Sequence, residues 1–85
     1  MDTFDIICAG ELLIDLISEE FKDSLDEAEL FRRLPGGSPA NLCMNMSRLG
    51  NRALLVSTVG NDEMGHFLIE YVCSLGVDCR HIRRA

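Results

Sequence analysis

The chain has 85 residues, 47% of them hydrophobic and 26% charged, with a formal net charge of -6. That length holds one small domain or a piece of a larger one; a chain of this size buries roughly 60–65% of its unfolded surface, which allows a thin core and argues against disorder. The 14 carboxylates against 8 basic side chains give the wrong sign for a nucleic-acid surface, and no apolar run is long enough for a membrane helix.

The first ten residues, MDTFDIICAG, carry two acids and no base, so they do not read as a targeting signal, and cytoplasmic residence is expected. Cysteines stand at 8, 43, 73 and 79. No pair has the spacing of a zinc knuckle or a redox dithiol. Each is expected to be a small buried hydrophobe with a free thiol, as suits a reducing compartment.

In chain order, Phe4 to Ala9 is short, apolar and β-branched in its middle, and reads as a buried strand stopped by Gly10. Residues 12–17 continue in strand style with Asp15 embedded. Glu19 to Glu29, with six acids and one lysine, reads as a solvated loop with a helical turn over Asp26–Leu30. Residues 30–35 form another strand with charge on one side, as at a sheet edge. Pro35-Gly36-Gly37-Ser38-Pro39 is the strongest break. A helix is expected directly after it, with Ser38 as N-cap, Pro39 at the first helical position and Leu42, Met46 and Leu49 as its buried stripe. Gly50-Asn51 ends it in a left-handed cap.

Ala53 to Val59 is a second buried strand. After the turn Gly60-Asn61-Asp62, the side chains Met64, Phe67, Leu68, Tyr71, Val72 and Leu75 follow the helical period up to Gly76, and Val77–Ile82 begins another strand. Strands alternating with helices imply βαβ units and a parallel sheet, with a ligand crevice at the carboxyl ends of the strands, here Gly10 and Gly60.

Three places bear on chemistry. The first is Gly36-Gly37-Ser38-Pro39-Ala40-Asn41. Two adjacent glycines let a backbone approach a ligand, the helix start offers unpaired amides, and Asn41 brings a donor and an acceptor to the same space. A phosphate loop would carry a lysine there, and a dinucleotide fingerprint a third glycine; a neutral polyol suits amides and an asparagine without a cation. The same residues also describe a plain helix start. The second is Asp15, which shares a strand face with Leu13 and Ile17 and either meets water at a sheet edge or sits in a cleft accepting sugar hydroxyls. The third is Asp62, explained by capping alone. His66 and His81 have no partner at ligand spacing, and the basic cluster Arg80 to Arg84 reads as a solvated strand exit.

The glycine pair, Asn41, the small residue Cys43, Gly50 and Gly60 together resemble the first signature of the ribokinase-like sugar kinases, the PfkB carbohydrate kinase family. Gly10 to Asp15 and Val59 to Gly65 are similar to its fructokinase and 2-keto-3-deoxygluconate kinase branch, and the resemblance spans essentially all 85 residues. Cys43 stands where the family usually has alanine, serine or threonine. The resemblance implies a ribokinase-like, doubly wound α/β domain with a β-sheet lid made of the strands at about 12–17 and 30–35. It implies ATP-dependent phosphorylation of a sugar hydroxymethyl group with Mg²⁺ accompanying ATP, and a lid that pairs in a homodimer. Asp15, Gly36, Gly37 and Asn41 match the family's sugar-contacting positions. The family's second signature, Gly-Ala-Gly-Asp, with its catalytic aspartate, does not occur in these residues. Residues 1–85 therefore read as the N-terminal portion of a sugar-kinase domain, with no catalytic residue of its own and no turnover alone. The alternatives are a 2-keto-3-deoxygluconate or nucleoside kinase of the same family, and a non-catalytic binding or assembly module whose uncovered sheet edges associate.

Overall fold

The computed structural model describes residues 3–85, so Met1 and Asp2 of the expected 1–85 unit lie outside the described residues. Two sheets and two helices follow the expected mixed α/β order. Strand β1 (Ile6–Ala9) pairs in parallel with β4 (Ala53–Val59), which pairs in parallel with β5 (Ile82–Arg84), leaving β4 in the centre. Strands β2 (Leu13–Ser18) and β3 (Phe31–Gly36) form a separate antiparallel ribbon. Helix α1 (Ser38–Arg48) connects β3 to β4, and α2 (Glu63–Ser74) follows β4.

The core lies between one face of the parallel sheet and the helices. Cys8, Ala53, Leu55 and Val59 come from the sheet, Ala40, Cys43 and Met44 from α1, and Leu68 and Val72 from α2. On the sheet's other face Ile7 and Val56 stay exposed, at 62% and 39%.

The stripe expected on α1 is corrected. Leu42 and Leu49 are exposed and Met46 is half-buried, while Ala40, Cys43 and Met44 are buried. The helix packs on β1 and β4 through the small Ala40 and Cys43, which permit close approach, with Met44 beside them, so its leucines do not mark the inner face. The cap is also corrected. Gly37, with φ +108°, is the N-cap, which makes Ser38 the first helical residue and Pro39 the second. The first helical hydrogen bond runs from the Asn41 amide to the Gly37 carbonyl at 2.8 Å. At the other end the expected left-handed cap forms at Gly50, φ +92°, with its amide on Ser47 and that of Asn51 on Met46.

Other differences are smaller. The helical turn lies at Leu25–Glu27, short of Asp26–Leu30. The segment after Gly76 is strand only from Ile82; before that it meets β4 through an isolated bridge between Leu54 and Asp78 and through the Ser57 amide, which donates to the His81 carbonyl at 3.4 Å. There the Arg80 guanidinium, 2.7 Å from Asp78, holds the Asp78 carboxyl below the usual carboxylate range. Cys8 and Cys43 are buried as expected, but Cys73 is exposed and Cys79 half-buried.

Asp62 caps α2 as its position implies: Oδ1 accepts from the Gly65 amide at 2.8 Å. Asp62→Ala is expected to lower stability by about 1 kcal/mol, read as an earlier urea midpoint with an unchanged slope.

Candidate sugar site

The carboxyl end of β1 is tied to the sheet twice. The Gly10 amide donates to the Val56 carbonyl at 3.1 Å, and the Ser57 hydroxyl donates to the Gly10 carbonyl at 2.6 Å. From there the chain enters the β2–β3 ribbon and returns through Gly36 and Gly37 into α1. The ribbon rests on α2, with the Arg33 guanidinium 4.3 Å from the centre of the Phe67 ring, a cation–π contact.

The ribbon's register sets Asp15 opposite Leu34 and Leu13 opposite Gly36, so these four share one face. The Asp15 carboxylate lies directly over the Gly36 α-carbon: a Cβ built there would stand 2.6 Å from Oδ1. Gly37 is pressed against the Glu11 carbonyl in the same way, and its positive φ is one that side-chain-bearing residues rarely adopt. Two glycines are thus required by close approach, and they fix the exposed carboxylate beside the start of α1, where the helix dipole is positive and favours an anion.

The structure therefore brings Asp15, Gly36 and Gly37 together. Asn41 sits one helical turn beyond Gly37, and its side chain borders a hollow of about 180 Å³ with Leu34, Pro35, Met44, Asn45, Arg48 and Tyr71. Asp15 is not among that hollow's lining residues. A carboxylate and unobstructed backbone beside a helix start suit the binding of hydroxyl groups, since the carboxylate accepts and the amides donate.

A wider hollow, about 350 Å³, opens at the carboxyl ends of β4 and β5 among Asn61, Asp62, Glu63, His66 and Arg84. The Arg84 guanidinium lies 3.0 Å from His66 Nδ1. A guanidinium only donates, so in this contact the ring nitrogen is the acceptor. Neither residue carries a sequence signal for this meeting, which depends on the parallel register of β5 against β4.

Residues 3–85 match the profile of the pfkB family carbohydrate kinases. An uncharacterized sugar kinase of Pyrococcus horikoshii is 51% identical over 77 residues, covering 91% of this chain and 24% of that protein. Its crystal structure in complex with ATP superposes with a TM-score of 0.86 at 48% identity, covering 94% of this chain and 26% of that one. A 5-dehydro-2-deoxygluconokinase of Geobacillus thermodenitrificans is 37% identical over 78 residues, covering 92% of this chain and 23% of that protein. The fructokinase of Vibrio cholerae O395, in its fructose-, ADP- and calcium-bound form, superposes with a TM-score of 0.80 at 29% identity, covering 93% of this chain and 23% of that one. The chain spans about a quarter of the length of the relatives it matches. The glycine turn, the carboxylate over it and the match along residues 3–85 lead to one statement: this chain belongs to the pfkB family of carbohydrate kinases, of whose fold it forms a part.

Proposed function

We propose that this chain is the sugar-holding portion of an ATP-dependent carbohydrate kinase that phosphorylates a hydroxymethyl group of a ketose such as fructose. The observation that carries the reading is the Asp15 carboxylate held over Gly36 at the start of α1. Asp15 accepts hydrogen bonds from sugar hydroxyls, and Gly36 and Gly37 let the sugar ring approach the backbone. The Asn41 side-chain amide turns from its hollow to bond a further hydroxyl.

Phosphoryl transfer needs an oriented nucleophile and stabilised charge on the transferred group. The present residues supply orientation. They contain no Gly-Ala-Gly-Asp, and among the described residues no three carboxylates, histidines or cysteines group as metal ligands. The base, the ATP pocket and the Mg²⁺ that accompanies ATP are assigned to the part that the relatives have in addition. The purified chain is expected to show no ATP-dependent phosphorylation of fructose. A chimera joining residues 1–85 to the remainder of the P. horikoshii kinase is expected to show it. Turnover by the 85 residues alone, or a folded chimera inert towards every sugar offered, would overturn the reading.

A sugar acid is the second reading, supported by Arg32, which shares the ribbon face of Asp15 and would exchange its exposed pairing with Glu19, at 3.7 Å, for a substrate carboxylate. A thermal-shift panel of fructose, 2-keto-3-deoxygluconate and adenosine on the chimera separates the readings, including the nucleoside. The exposed Leu13, Leu16, Ile17 and Phe31 make the ribbon a lid that pairs with a second copy, to be measured by sedimentation. No described helix is long and apolar enough to cross a membrane. The excess of acids over bases supports a protein without a nucleic-acid partner, and the free thiols at 8, 43, 73 and 79 support the cytoplasm.

A further inference from the structure

Asn41, Asn45 and Arg48 are spaced four and three positions apart, so they form one polar stripe along α1. The stripe borders the hollow of about 180 Å³ where α1 meets β3 and Tyr71 of α2. Apolar side chains usually fill such a seam, yet here two amides and a guanidinium line it. The remaining wall is apolar: Pro35 and Met44 are buried and Leu34 is half-buried. Tyr71 is steadied by Phe67, whose ring centre lies 5.8 Å away at a tilt of 60°. Arg48 donates from Nη1 to Asn45 Oδ1 at 3.3 Å, and among the described residues it has no carboxylate partner. The Asn41 side-chain amide and the Tyr71 hydroxyl have no hydrogen-bond partner among the described residues. None of the lining residues is acidic, although the chain carries 14 carboxylates.

We propose that this hollow binds a small organic carboxylate, its charged end held by Arg48 with Asn45 and Tyr71 and its short apolar body against Pro35 and Met44. A planar guanidinium matches a carboxylate with two parallel hydrogen bonds, and the amides and the phenol add donors around it. The space sets the size. At about 30 Å³ for each water-sized group, 180 Å³ holds roughly six non-hydrogen atoms, which fits an acid of about four carbons and excludes a hexose or a nucleotide. Inorganic phosphate would satisfy the guanidinium but leave the apolar wall unused. The wider hollow at the ends of β4 and β5 is a poorer match for an anion, because Asp62 and Glu63 line it beside Arg84. The occupant would bridge α1, α2 and the ribbon. The assignment does not depend on the sugar reading, since Asp15, Gly36 and Gly37 do not line this hollow.

Isobutyrate and isobutyramide share a shape and differ in charge, so an NMR titration of the ¹⁵N-labelled chain with each tests the assignment. Isobutyrate is expected to shift the side-chain amide signals of Asn41 and Asn45 saturably, with a dissociation constant on the order of millimolar for so few atoms. Isobutyramide is expected to bind at least about tenfold more weakly, since it cannot form the charged hydrogen bonds. Arg48→Gln is expected to weaken isobutyrate about tenfold to a hundredfold. Arg52→Gln makes the same change in net charge at an arginine outside the hollow and is expected to leave the binding unchanged. Arg48 is exposed, so its replacement should not unfold the chain, and the comparison of acid with amide on wild-type protein decides the matter even if it does. No saturable shift at the two asparagines, equal binding of isobutyramide, unchanged binding in Arg48→Gln, or inorganic phosphate moving the same signals at lower concentration would each overturn the proposal.

Discussion

Leu55→Ala is expected to lower stability by about 2–5 kcal/mol. Leu55 is fully buried, at 0% exposure, in the middle of the central strand and opposite Cys8 of β1. Both helices contribute to the cluster around it, so no single side chain can move in to fill the space. A chain of 85 residues has roughly 4–13 kcal/mol to lose at the usual stability per residue. The exposed Ile7 and Val56 put this chain towards the lower end, because a parallel sheet is normally covered on both faces. The substitution should therefore unfold a large fraction of the molecules at 25 °C, seen as loss of the cooperative urea transition. Leu42→Ala on the outer side of α1 serves as the control and should shift the midpoint little, since Leu42 is half exposed.

Asp15→Ala in the chimera is expected to weaken ketose binding about tenfold to a hundredfold, the range for removing a hydrogen bond to a charged group. Asp15 is exposed and makes no ion pair among the described contacts, so its loss should leave the thermal midpoint nearly unchanged. Asp15→Asn keeps one acceptor oxygen and should recover part of the affinity. Titration of fructose by calorimetry separates a binding loss from a folding loss. Equal affinity in wild type and Asp15→Ala would remove Asp15 from the site.

Both effects rest on features that the sequence shows to different degrees. Turns are the most legible. The Gly36-Gly37 break, the Gly50 and Gly76 ends and the Asp62 cap are local, and each has a residue type suited to its backbone. Strand order is less so, because parallel pairing of β1, β4 and β5 joins segments far apart in the chain. The inner face of α1 is misread for a physical reason: against a sheet, close packing selects Ala40 and Cys43 over Leu42 and Leu49. The contact between Asp15 and Gly36 is invisible in sequence because it depends on the register of a ribbon whose connection runs from residue 19 to 30.

The crystal structure of the chimera with bound fructose is the most direct measurement. A sugar lying over Gly36, with hydroxyls within hydrogen-bond distance of the Asp15 carboxylate and the Asn41 side-chain amide, is the expected result. A sugar seated elsewhere, with Asp15 left to solvent and Asn41 still lining the hollow beside Tyr71, would contradict it.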